Sequence, residues 1–208
     1  MFHYTRSMLK RQKRLLAILF GLTVVFGMDI GQSYARGIII FGPLETKIEG
    51  SINYTLIGKY IVHFNNFKGR IVLDKSSQKV QSVYLEIEVG SIKSNHPWLD
   101  KLARSRRLLN AKRYPKIIFK SDKIVQDRDG YEVKGVLDMH GIKRKLAFPF
   151  RFKSIINPEA NGEWIDLKGS WIINRKDFNI IWNKYLDHGG ILVSDNFTVN
   201  WGIRTYIK

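Results

Sequence analysis

The feature that most constrains this chain is an alternation of apolar and polar residues, with a period of two, along most of its length. Successive side chains of an extended strand point to opposite faces, so such runs build a sheet with one apolar and one wet face. Ile48, Ile52, Tyr54, Leu56, Tyr60, Val62 and Phe64 share one parity, and Lys47, Glu49, Ser51, Asn53, Thr55 and Lys59 take the other. Gly58 interrupts the run and marks a bend or bulge. The pattern returns between Val83 and Val89, Tyr131 and Met139, Leu146 and Phe152, Ile165 and Ile173, and Phe197 and Ile203. Turn-forming stretches separate the runs: Asp74-Lys-Ser-Ser77, Asp129-Gly130, Asn157-Pro158 and Asn161-Gly162. The chain therefore reads as all-β, an elongated antiparallel barrel or sandwich of about eight strands. One stretch breaks the period. From Pro97 to Asn110, Trp98, Leu102 and Leu109 fall at helical spacing and imply one amphipathic helix lying across the barrel.

The first residues serve another purpose. Arg6, Lys10, Arg11, Lys13 and Arg14 precede an apolar run from Leu15 to Met28, and Ser33 and Ala35 follow as small residues. That is the pattern of a secretory signal cleaved after Ala35. The apolar run is shorter than the ~20 residues a membrane span needs. The expected organisation is a signal over residues 1–35 and one domain over 36–208, periplasmic or secreted. There is no cysteine among the 208 residues, so no disulfide or thiolate chemistry is available and such a domain stands on its core alone.

Charge narrows the partners. The chain carries a formal charge of +17, of which residues 1–35 supply five basic residues and one acidic, leaving +13 on the domain. Nucleic acid would suit that charge but not an export signal, and no nucleic-acid motif accompanies it. Lys101, Arg104, Arg106, Arg107, Lys112, Arg113 and Lys116 cluster around the helix. They form either a solvated face or one that approaches anionic lipid headgroups. The histidines His3, His63, His96, His140 and His188 show no close metal-ligand spacing, so no metal is expected. His140-Gly141 reads as a turn after a strand, with the imidazole bonded to local backbone. Hydrolase and nucleotide motifs are missing, and no catalytic residue is assigned.

An eight-stranded barrel either fills with side chains or holds one small ligand. The alternation places Tyr54, Leu56, Tyr60, Leu85, Phe119, Leu137, Phe148, Phe150, Trp171 and Trp201 inward. They would line an apolar lumen if one exists, or fill the core if none does. Pattern alone does not choose between the two.

Four stretches carry a resemblance to a known family. They are Phe67-Lys-Gly-Arg-Ile71, Leu109-Asn-Ala-Lys-Arg-Tyr-Pro-Lys-Ile-Ile-Phe-Lys-Ser121, Val133-Lys-Gly-Val-Leu-Asp-Met-His-Gly-Ile-Lys-Arg-Lys-Leu146 and Ile173-Asn-Arg-Lys-Asp-Phe178. In that order, behind a signal-like segment and on an all-β pattern, they resemble the YceI-like family of exported polyisoprenoid-binding proteins. The family pattern has Gly after the final Asp-Phe, where this chain has Asn179. The resemblance implies a lipocalin-like barrel holding a polyisoprenoid or quinone-like lipid, with no other cofactor and no catalytic residue. A polar head would sit at the mouth, where Arg175 is the candidate to meet it. The competing reading has Arg175 pairing with Asp177 or capping a turn. The alternative function is an envelope stress-response or membrane- and partner-binding protein with a filled core and a basic face. Carriage, storage or sensing, the identity of the lipid, and monomer or homodimer stay open at this stage.

Overall fold

The computed structural model describes residues 36–207, apart from 45, 56–57, 75–76, 78, 127–129, 158–161 and 182–192. The expected export signal, Leu56 and His188 lie outside the described residues. Among the described residues the strands are β1 (Arg36–Phe41), β2 (Thr46–Tyr54), β3 (Gly58–Phe64), β4 (Phe67–Asp74), β5 (Lys79–Glu88), β6 (Ile92–Lys93), β7 (Lys116–Gln126), β8 (Tyr131–Met139), β9 (Ile142–Asn157), β10 (Gly162–Asn174) and β11 (Val193–Ile207). They form a single sheet in the order β1-β4-β5-β7-β8-β9-β10-β11-β2-β3-β6. Every neighbouring pair is antiparallel. The sheet curls around one apolar interior to which all eleven strands contribute side chains.

The count of eleven corrects the expected eight or so, for a local reason. β1 runs Ile38-Ile39-Ile40 without polar alternation, and β6 has only two residues, so neither shows a period. The long strands follow the pattern closely: in β8, Tyr131, Val133, Leu137 and Met139 are buried, and Glu132, Val136 and Asp138 are half-buried. β9 and β11 have 16 and 15 residues, an extended length of ~50 Å, which makes the interior elongated. β9 contains Pro149, which has no N–H for a ladder. Its pairing with β10 accordingly stops at Phe150, while its pairing with β8 continues to Ile142. The β8–β9 turn, His140-Gly141, has positive φ at both residues, 54° and 77°, as a two-residue hairpin requires. A Cβ on Gly141 would lie 2.7 Å from the Tyr114 ring. His140 Nδ1 is 3.0 Å from the carbonyl of Phe178. That bond ties the hairpin to a segment distant in sequence, not to local backbone as expected.

The helix α1 (Pro97–Arg104) starts with Pro at its first position and carries Asp100 in its first turn. It is shorter than the sequence suggested. Ser105 is extended, and its hydroxyl takes the Leu102 carbonyl at 2.7 Å, which ends the helix at Arg104 instead of Asn110. Asn110 then turns the chain with φ 47°. The expected buried stripe also shifts. Leu99 and Ala103 are buried and Leu102 half-buried, whereas Trp98 is 54% exposed.

Among the described residues, apolar packing falls into two clusters. The larger joins Ile71, Phe119, Val133, Leu137, Met139, Phe148, Ile165, Leu167 and their neighbours across most of the sheet. The smaller holds Tyr54, Tyr60, Leu99 and Val193 and lies where α1 meets β2, β3 and β11.

Candidate functional site

The interior is not filled. A cavity bounded by both clusters leaves ≈ 200 Å³ open to water-sized molecules, more than ten times the ~10–15 Å³ that one water needs. Nine of the ten residues assigned inward by alternation line it: Tyr54, Tyr60, Leu85, Phe119, Leu137, Phe148, Phe150, Trp171 and Trp201. Leu56, the tenth, lies outside the described residues. Alternation missed the contribution of the helix and its following turn, where Leu99, Leu102, Ala103, Leu108 and Leu109 complete the wall. Their period is not two, so they stood out only as a helix and not as part of a lumen.

The middle of the cavity is aromatic. Phe148 and Trp171 stack with centroids 4.0 Å apart, and Phe119 meets Phe148 at 5.1 Å and Trp171 at 6.4 Å. Farther along, Phe150 faces Trp201 at 6.2 Å and stacks on Tyr131 at 5.0 Å. Such a lining offers area but almost no hydrogen bonding. Water gains little there, and an apolar chain gains roughly 25 cal/mol for each Å² it removes from water.

The helix-side end is built differently. The Tyr60 hydroxyl donates to Asp100 Oδ1 at 2.7 Å, Ser94 Oγ donates to the same oxygen at 2.7 Å, and the Ser94 N–H donates to Oδ2 at 3.0 Å. Arg104 Nη1 donates to the Ile92 carbonyl at 2.6 Å. One buried carboxylate thus fastens α1 to β3 and to the chain leaving β6. Burial alone would raise the Asp100 carboxyl, but the bonds from Ser94 and Tyr60, with the Arg104 charge, hold it below its ordinary value. Tyr60 moves the other way, pushed far up by burial and by donating to that carboxylate.

Arg175 also lines the cavity, yet its donors are committed. Nε bonds the Ser194 carbonyl at 3.0 Å, Nη1 the Ile180 carbonyl, and Nη2 the Val193 carbonyl at 3.4 Å and Asp195 Oδ1 at 3.1 Å. Its acid partner is Asp195 and not Asp177, the pairing the sequence suggested. The residue is 3% exposed and clasps the start of β11 to the turn after β10. Asn179 ends that turn in the left-handed region, φ 56° and ψ 31°. Asparagine tolerates that conformation nearly as Gly does, which accounts for the departure from the expected glycine.

The YceI-like domain model matches residues 42–204, which span ten of the eleven strands and nearly the whole cavity wall. The chain belongs to the YceI-like family. A UPF0312 protein of Vibrio cholerae is 27% identical over 170 residues, 81% of this YceI-like chain and 89% of that protein. Another from Yersinia enterocolitica is 29% identical over 121 residues, 56% of this chain and 61% of that protein. Among solved structures, Burkholderia cenocepacia BcnA superposes with a TM-score of 0.63 at 19% identity, covering 78% of this chain and 97% of its own. A polyisoprenoid-binding domain from Saccharophagus degradans, implicated in plant cell wall breakdown, gives 0.58 at 11% identity over 81% and 97%. At these identities the structures establish a shared fold.

Outside its lumen, this YceI-like domain presents a distinctive surface around α1. Lys101, Arg106, Arg107, Lys112 and Arg113 are exposed, and none of them makes an ion pair among the described residues. Lys116 differs, pairing with Glu86 at 2.8 Å. The one acidic residue on the helix, Asp100, is buried. Trp98 stands on the same helix, its ring meeting Tyr54 edge-on at 6.1 Å. No three His, Asp or Glu residues among those described are grouped to hold a metal.

Proposed function

We propose that this YceI-like chain is an exported, non-enzymatic protein that holds a long-chain amphipathic lipid of the isoprenoid type in its lumen, for transport, storage or sequestration. The observation that carries the reading is the cavity itself: every strand contributes an apolar side chain to one open interior. A filled core would instead have favoured the alternative of a protein acting only through its surface. The polyisoprenoid-binding domain that shares the fold supports the choice of ligand class. The basic N-terminal segment with its apolar run supports export.

The α1 surface fits the same reading. Unpaired cations and an exposed Trp at the end of the lumen suit contact with an anionic bilayer, where each basic residue near the surface contributes about 1 kcal/mol and Trp settles at the headgroup level. Lipid entering or leaving would then do so beside the membrane.

Native mass spectrometry of the protein purified from its own host tests the proposal. The expected spectrum shows the domain with one apolar adduct that organic extraction removes. A spectrum of bare protein throughout, from material never exposed to detergent, would overturn it.

A further inference from the structure

The chain from His96 to Tyr114 is bonded mainly to itself. Leu99 and Asp100 donate their amides to the His96 carbonyl, Leu109 to that of Ala103, Ala111 to that of Arg104, and Arg113 and Tyr114 to that of Asn110. Among the described residues no backbone bond joins this stretch to a strand. Side chains make the attachment. Arg104 holds the Ile92 carbonyl and Asp100 holds Ser94, both in the chain that leads into α1. The bond from the Tyr60 hydroxyl to Asp100 Oδ1, 2.7 Å, is the one hydrogen bond among the described residues that ties the stretch to a strand beyond that lead-in.

The same stretch has two faces. Leu99, Leu102, Ala103, Leu108 and Leu109 border the lumen. Lys101, Arg106, Arg107, Lys112 and Arg113 are exposed, and its one acid, Asp100, is buried. Leucines that face open space have fewer contacts to lose than leucines of a close-packed core. An anionic bilayer offers acyl chains to the leucines and headgroups to the cations, the two surroundings an interfacial amphipathic helix requires. While the stretch is docked, only its cations reach such a surface. The bilayer therefore binds the displaced form more tightly, and that difference is what can shift the equilibrium.

We infer that residues 96–113 are a gate triggered by anionic lipid: on such a bilayer the stretch swings off the barrel, releases Tyr60 and opens the lumen beside the acyl chains. This deepens the lipid-binding reading and rests on it. The pivots lie at the two ends of the stretch. Ser94 and Asn95 lead in from β6. Tyr114, stacked on His140 with centroids 4.5 Å apart, and Pro115, whose carbonyl accepts from the Val89 N–H at 2.9 Å, stay with the barrel. Displacement breaks the Tyr60 bond and empties the small cluster around Leu99, while every ladder remains intact.

The probe is all-trans-retinol, a fluorescent isoprenoid, loaded into delipidated protein purified from its own host and mixed with vesicles that carry an energy acceptor. Transfer should be about tenfold faster into vesicles containing phosphatidylglycerol than into pure phosphatidylcholine, because each engaged cation raises occupancy of the surface about fivefold. High salt should erase the difference. Tyr60→Phe keeps the ring and loses the latch. It should still bind retinol, which shows that it is folded, and should speed transfer into phosphatidylcholine about tenfold, the scale of one hydrogen bond to a charged group. The chain has no cysteine, so a nitroxide on Leu102→Cys reports a single site. Its collisions with oxygen should rise on anionic vesicles, and those of a nitroxide on Leu137→Cys, in the wall, should not. Equal transfer into both vesicles, or no effect of Tyr60→Phe, would overturn the gate and leave the lumen standing. Faster transfer with an unchanged signal at position 102 would do the same, since it means docking without displacement. Retinol that never binds would overturn the lumen reading and the gate with it.

Discussion

The middle of the lumen and its helix-side end enclose the same cavity by different physical means. In the middle, Phe119, Val133, Leu137 and Phe148 project from adjacent long strands paired from β7 to β9, with one bulge between Ser121 and Lys123, and each is 4% exposed or less. At the end, α1 is attached through one carboxylate, Asp100, and one guanidinium, Arg104, over a cluster of four buried residues among those described. The wall is held by many small contacts and the end by a few strong polar ones. A structure built this way keeps its shape along the barrel and concentrates its opening at the helix, because regions with few buried apolar contacts open at the lowest free energy.

Substitutions should separate the two regions. Phe119→Ala removes a ring 2% exposed at the centre of the aromatic stack and should cost about 3–5 kcal/mol of stability. Chemical denaturation measures that cost, and lipid capacity should fall with it. Asp100→Ala leaves the Tyr60 hydroxyl and both Ser94 donors without their acceptor. It should cost about 2–3 kcal/mol, concentrated in α1, so that hydrogen exchange accelerates at Leu99 and Leu102 and leaves β8 unchanged. Equal acceleration in both regions would dissolve the distinction between wall and latch.

Acid offers a reversible form of the same comparison. The Asp100 carboxyl is held below its ordinary value, so its bonds stabilise the folded state above the unfolded value near 4. That contribution is lost as pH falls through the lower folded value. Glu86, drawn down to about 2 by its bonds from Lys116 and Tyr84, behaves in the same sense. Below pH ~4 the α1 amides should lose protection before those of β8. Asp100→Asn should flatten the α1 response. The smallest expected effect is at Trp98. Trp98→Ala should change stability by no more than ~0.5 kcal/mol, yet weaken binding to anionic vesicles in a sedimentation assay. Unchanged vesicle binding would separate the helix from the membrane.

The two regions also differ in how far they could be read from the sequence. The wall was legible because alternation is a direct record of which face meets the lumen: Leu85, Phe119, Leu137, Phe148 and Phe150 were assigned inward, and they line the cavity. The end was not, because its geometry depends on contacts distant in sequence. Tyr60 and Asp100 are 40 residues apart and look like one strand aromatic and one helix acid. For Arg175 the sequence offers a ligand head, Asp177 or a local turn, whereas its acceptors come from Ile180, Val193, Ser194 and Asp195 across the connection to β11. The helix stop at Arg104 turned on a single serine hydroxyl, and the exposure of Trp98 on which turn of α1 faces Tyr60. Whether the lumen was open or filled depended on how far the sheet curls, which no residue pattern records.

The most direct test of the account is where a bound chain lies. A long-chain isoprenoid probe bearing a photoreactive diazirine can be loaded into the protein, irradiated, and its adducts mapped by peptide mass spectrometry. Labels are expected on Phe119, Leu137, Phe148 and Trp171, displaced by unlabelled lipid. Labels confined to exposed positions such as Ile40, Trp98 and Ile172, with none on the lumen wall, would contradict it.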